Sequence, residues 1–165
     1  MRCTGAPRGA PRLDGEQAAP AQKEIDMGLF PDTAPAGLIS LKSTLPVKET
    51  VDKLVHLIES KGLTVFCRID HAANAVAAGM QLRPTELLIF GNGKGGTPLM
   101  QTTQTIGIDL PLKALAWQDA GGQTWISYND PVWLTERHGS AAQSVVAATG
   151  MRTMLAAVTR GAAMP

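Results

Sequence analysis

Residues 83–128 read RPTELLIFGNGKGGTPLMQTTQTIGIDLPLKALAWQDAGGQTWISY, and in this stretch a strand, a glycine run, a helix and a hairpin follow in close succession. Thr85 to Phe90 is β-branched and apolar, the composition of a buried strand. It leads directly into Gly91, Asn92, Gly93, Lys94, Gly95 and Gly96. Glycine tolerates positive φ, so successive N–H groups of such a loop can turn to one side and form an anion-binding concavity, with Lys94 adding charge. Thr97 suits an N-cap and Pro98 a first turn, which predicts a helix over Pro98–Thr103 with its positive end at the loop. Gly91, Asn92, Lys94, Gly96 and Thr97 are therefore candidate ligand-binding residues for a phosphate or carboxylate. With Gly96 at positive φ, a β-branched replacement there would strain the backbone. A Walker loop is excluded, because it ends in Gly-Lys-Ser/Thr whereas Lys94 precedes two glycines. A plain strand-to-helix connection explains the same residues with fewer assumptions, since glycine marks turns far more often than phosphates.

After that helix, Thr105 to Pro111 reads as a short connection. Asp109, set between Ile108 and Leu110, is a candidate site residue, although aspartate in a loop more often accepts from nearby backbone N–H groups. Lys113–Gln118 and Gln123–Tyr128 are two strands joined by Asp119, Ala120, Gly121 and Gly122, a hairpin composition. Trp117, Trp125 and Tyr128 lie in it and read as cross-strand packing, with Tyr128 kept as a candidate for its hydroxyl.

Upstream, the first 36 residues carry proline, glycine and alanine with almost no apolar period, too little to offset chain entropy, and are expected to be a disordered tail. Lys23–Glu24 also fits the codons AAG-GAG, a bacterial ribosome-binding sequence, which makes Met27 an alternative start. The folded domain then spans residues 37–161. Leu38–Ser43 is a first strand. Val47, Val51, Leu54, Val55 and Ile58 form one stripe of a helix over Pro46–Lys61, with Glu49 and Asp52 in its early turns and Gly62 behind it. His56 lies off the stripe. Thr64–Ile69 alternates, placing Val65, Cys67 and Ile69 on one face and Thr64, Phe66 and Arg68 on the other. Asp70 caps a short alanine-rich helix, Ala72–Ala78, that Gly79 ends. His71 thus sits at a helix N-terminus, where imidazolium is disfavoured, and is a further candidate.

Downstream, Asp130 caps a short helix through Arg137, closed by His138 and Gly139. A long helix from Ser140 to about Arg160 carries the row Ala141, Val145, Ala148, Arg152 and Leu155. The chain has 165 residues and a formal net charge of +1. That length suits one domain with a core, and the charge balance provides no broad field for nucleic acid or an anionic membrane. No apolar run is long enough to span a bilayer and no secretory core opens the chain, so a cytoplasmic location is expected. Cys3 and Cys67 are a poor disulfide pair, and Cys67 reads as a small buried hydrophobe.

The motifs IDHAANA, LRPTELLIFGN, GTPLMQ, DLPLKALAWQD and WISYNDP, followed by RHG, make the segment from Ile69 to Gly139 resemble the bacterial and archaeal family called domain of unknown function 302, over roughly Leu38 to Arg160. The resemblance implies a TATA-binding-protein-like α+β fold of β-α-β4-α order, with one curved antiparallel sheet of about five strands, helices on one face and short extra helices. The order of elements read from the residues agrees with it. The family usually has proline where this chain has Gly93 and Gln104, which loosens any fixed ligand geometry at the glycine run. Its name assigns no activity.

No residue set in the chain matches a reaction that chemistry alone can write. The reading with fewest special residues is a non-catalytic module that binds a small anionic or apolar ligand or assembles as a homodimer, without cofactor, metal, nucleic acid or membrane. The homodimer rests on the edge strands an open antiparallel sheet leaves. The alternative is an enzyme or metal site using His71, Asp109, Tyr128 and His138, although no HxH or HxxxH spacing places two ligands on one element. The spatial relation of His71, Asp109 and His138 decides between the two.

Overall fold

The computed structural model describes residues 35–140 and 142–165. The expected disorder of the tail and the alternative start at Met27 fall on residues 1–34 and lie outside the described residues, as does Ala141. Strand β1 (Leu38–Ser43) leads into helix α1 (Val47–Ser60), on which Val47, Val51, Leu54 and Ile58 are buried at intervals of three and four. Each large aliphatic side chain so buried contributes about 1.5–3 kcal/mol. Gly62, at φ +72°, turns the chain out of the helix. Strand β2 (Thr64–Asp70), helix α2 (His71–Ala77) and strand β3 (Thr85–Gly91) follow. Next come α3 (Gly93–Thr102) and a 3-10 turn over Gln104–Ile108. The hairpin β4 (Leu112–Gln118) and β5 (Thr124–Asn129) precedes α4 (Pro131–Arg137) and α5 (Ala142–Ala162).

The five strands form one open antiparallel sheet in the order β1-β5-β4-β3-β2. The α+β class, the strand number and the element order expected from the sequence are those observed. Helices α1 and α5 cover one face, where Leu54, Ile58, Leu88, Phe90, Ala114, Ile126, Leu155 and Val158 make the core. The small Ala114 and Ala116 on the central strand allow helices to lie close to the sheet.

Strand β2 departs from simple alternation. A bulge between Val65 and Cys67 inserts Phe66, so that Val65 pairs with Phe90 and Arg68 with Leu88 on the helix-covered face, while Cys67 and Ile69 pair with Ile89 and Leu87 on the other. The extra residue reverses the parity of everything after it. Arg68 thereby reaches Glu86 of β3 at 2.5 Å and Asp52 of α1, a charge chain at the sheet edge that strict alternation would have pointed away from α1. Asp52 is held below the usual carboxylate range by Lys48 and Arg68, against the opposing effect of burial.

The hairpin matches its reading. Trp117 pairs directly with Trp125, their rings stacked with centroids 6.2 Å apart. Asp119 ties the turn by accepting from Gln123 N–H and from the Trp125 indole. On α5 the row read from the sequence is only partly internal, since Ala148 and Leu155 are buried but Val145 is half-exposed. Arg152 is turned outward to Asp130. The inner face runs instead through Ser144, Ala148, Met151, Leu155, Val158 and Ala162.

Candidate functional site

The glycine run does not form a loop. Helix α3 begins at Gly93, and its cap is Asn92, whose side-chain oxygen accepts from Gly95 N–H at 2.8 Å. Thr97 is therefore not the cap but an exposed residue inside the helix, and Pro98 lies beyond the first turn. Asn92 outcompetes Thr97 because it stands in extended backbone directly after β3, the conformation an N-cap requires. Gly96 does not have positive φ, so the expected strain on replacing it is absent. The stacked donors of a loop are replaced by the ordinary first turn of a helix. Lys94 on it is exposed.

What the glycines do instead is leave room. A cavity of about 270 Å³ lies beneath α3, between the start of β2, the segment entering β4 and the inner face of α5. Met100, Met151 and Met154 line it together with Phe66, Leu110 and Leu112. Gly93, Gly95, Gly96 and Gly107 complete the wall, and Asn92 is its one polar side chain. A Cβ on Gly95 would stand 3.2 Å from the Met151 methyl, and one on Gly107 would stand 3.3 Å from the Met100 sulfur. The wall holds no titratable side chain. It is chemically equipped to surround an apolar body, not to move a proton.

Of the scattered polar candidates, the structure joins two. His138, at the C-terminus of α4, places Nε2 2.7 Å from Asp109 Oδ2, both side chains being nearly buried. Arg137 adds a contact to the same carboxylate at 3.2 Å. The other ring nitrogen of His138 stands 3.4 Å from Thr105 Oγ1. These bonds tie the segment between α3 and β4 to α4, beside the smaller apolar cluster of Leu99, Ile106 and Leu134.

His71 is elsewhere. It follows Asp70, which pairs with Glu86, whereas Asp109 precedes Leu112, which pairs with Phe90. The two lie toward opposite ends of the sheet, separated by about four residues of strand, roughly 13 Å. The three-residue site on His71, Asp109 and His138 does not assemble. Among the described residues no group of three His, Cys, Asp or Glu could hold a metal ion. Tyr128 is a core residue, its hydroxyl pKa raised by burial despite a hydrogen bond with Thr159. The cavity methionines escaped sequence reading because Met100 and the pair Met151 and Met154 lie on different helices. Only the repeated glycines of 91–96 hinted at a space.

An open antiparallel sheet with two helices across one face and an apolar cavity at one end defines a small α+β domain. The chain belongs to the family described as Domain of unknown function DUF302, whose model matches residues 39–160. The crystal structure of the uncharacterized conserved protein DUF302 from Bacillus stearothermophilus superimposes with a TM-score of 0.70 at 18% identity, over 78% of this chain and 99% of that one. Among sequences, the chain is 47% identical over 128 residues to Fluoride-specific ion channel FluC 1 of Brucella suis biovar 1 (strain 1330), a match covering 78% of this chain and 50% of the relative. It is likewise 47% identical to Fluoride-specific ion channel FluC 2 of Brucella melitensis biotype 1, covering 47% of that protein. The chain thus spans about half the length of these relatives.

Proposed function

We propose that this chain is a non-catalytic binding module whose ligand is a small, largely apolar molecule held beneath α3. The cavity carries this reading: its wall is methionine, phenylalanine, leucine, proline and glycine, with Asn92 the one polar side chain and no acid, base or nucleophile. Methionine adapts to irregular apolar shapes, which suits a site that must close around a ligand. At about 30 Å³ for each water-sized group, the volume admits roughly nine non-hydrogen atoms. An anionic ligand has less support, namely the N-terminus of α3 and the exposed Lys94.

The test compares 1-octanol, an apolar probe of that size, with acetate by thermal shift and native mass spectrometry. Octanol should raise the melting temperature and acetate should not. Gly96→Leu supplies the control, because a Cβ there meets Leu110 and Met100 at ordinary distances of 3.5 and 3.8 Å and the rest of the side chain fills the cavity. That variant should lose the octanol shift. Equal shifts in both proteins, or none in the wild type, would remove the apolar-ligand reading.

The comparisons favour a second, compatible reading. A protein that conducts fluoride must cross a membrane, yet no described helix of this domain is long and apolar enough to do so, and its sheet is open. We therefore assign conduction in those relatives to the half this chain does not match, and to this domain the role of a module serving a channel. Shortening the Brucella suis relative to its unmatched half should preserve fluoride flux in liposomes. Complete loss of flux from a correctly inserted protein would contradict an accessory role.

A further inference from the structure

Helix α2 buries none of its residues. It is nevertheless closed at both ends. Asp70 accepts from Ala73 N–H at the start, and at the finish Gly79 N–H reaches Val76 O while Met80 N–H reaches Ala75 O, with Gly79 at φ +73°. This C-terminal pair of bonds is a Schellman closure. A seven-residue helix is too short to hold by propensity, and helices in proteins draw most of their stability from a buried face. The caps are joined by a light contact with β3, in which His71, Ala72 and Ala75 are half-buried, and the outer side of α2 is left to solvent.

On α2, Val76 is 68% exposed and Ala73 and Ala77 are exposed with it; in the segment that follows, Met80 is 61% and Leu82 44% exposed, with the polar Asn74 and Gln81 among them. Single exposed apolar side chains, such as Ile108 and Val146, are ordinary. Three large ones within seven residues, at the end of α2 and in the segment that leaves it, make a grouping of the kind that marks an interaction surface. The patch lies at the His71 end of the sheet, away from the cavity, so a partner there leaves the ligand site open.

We infer that the surface formed by the end of α2 and the segment after it, centred on Val76, Met80 and Leu82, docks this domain onto the channel half of a fluoride-specific ion channel. The inference rests on the channel-module reading. The partner is chosen because the relatives at 47% identity join a domain like this one to further sequence in a single channel chain, which keeps the two halves together at high effective concentration. A modest apolar patch is sufficient for contact between tethered partners.

The experiment uses this chain and the unmatched half of the Brucella suis relative, purified in detergent and mixed in trans. Wild type should bind the channel half, and amide exchange over residues 72–82 should slow on mixing. The double variant Val76→Glu/Met80→Glu should bind at least tenfold more weakly with its melting temperature unchanged, since neither side chain packs in the fold. Ile108→Glu, on a different surface, should bind as wild type does. Equal binding by wild type and the double variant, without slowed exchange in α2, would overturn the docking face while leaving the channel-module reading intact. No binding by wild type would overturn the docking surface, whereas the channel-module reading stands or falls on the flux of the shortened relative. Self-association of wild type that the double variant abolishes would assign the face to a second copy of this chain and overturn the inference. Should the double variant unfold, exchange in the unmodified protein decides alone.

Discussion

Asp130 does two things with one carboxylate. It caps α4 by accepting from Val132 N–H at 3.0 Å, and it holds Arg152 of α5, whose Nε lies 2.7 Å from Oδ1. Burial raises its pKa, but the Arg152 guanidinium and the capping N–H outweigh that and hold it below the usual carboxylate value. A depressed folded pKa gives stability that is present above the unfolded value, about 4, and is lost as pH falls through the folded value. Asp130→Asn should therefore flatten the loss of stability below about pH 4 and cost no more than about 1 kcal/mol at neutral pH, since asparagine keeps the cap and only the ion pair with Arg152 is lost, measured by urea unfolding across pH. An unchanged acid profile would contradict this role. The capping half was legible, because aspartate before proline announces a helix start; the Arg152 half was not, because the two residues are joined only in three dimensions. Gly37 is a second such case. It has φ +76°, and a Cβ there would stand 2.1 Å from the Trp133 ring. Gly37→Ala should cost about 1–3 kcal/mol or more, since left-handed backbone and a rigid ring are both offended. Stability equal to wild type would mean that the strand entry shifts freely.

At the scale of elements, α3 shows how local rules compete. Asn92 and Thr97 are both acceptable caps, and by local rules alone Pro98 favours Thr97 before it. The extended exit of β3 decided for Asn92, and the helix took in the glycines. Since Gly96 then lies in a right-handed helix with room for a Cβ, Gly96→Ala should stabilise the protein by about 0.5–1 kcal/mol, the opposite of the strain expected from a positive φ. A drop in melting temperature would show that the glycine is needed for close approach. Strand β2 carries the other lesson. Its alternation was readable as a strand, but a bulge leaves no mark in a period of two, and its effect on which face Arg68 takes follows only from pairing with β3.

For the whole molecule, α5 is the element that closes the core, with Leu155 fully buried against α1 and the sheet. Leu155→Ala should cost about 2–5 kcal/mol while leaving unfolding a single transition, read by urea denaturation with fluorescence and circular dichroism together. Separation of the two signals would mean that α5 unfolds on its own. The order of strands and helices, the hairpin, the caps at Asp70 and Asp130 and the family were all determined by the sequence, because each depends on residues within a few positions of one another. The cavity, the Asp109–His138 bond, the separation of His71 from both, and the outward turn of Arg152 were decided by tertiary structure. They depend on which strand ends share an edge of the sheet and which helix faces meet, and no local pattern of apolar or capping residues encodes a distance between segments far apart in the chain.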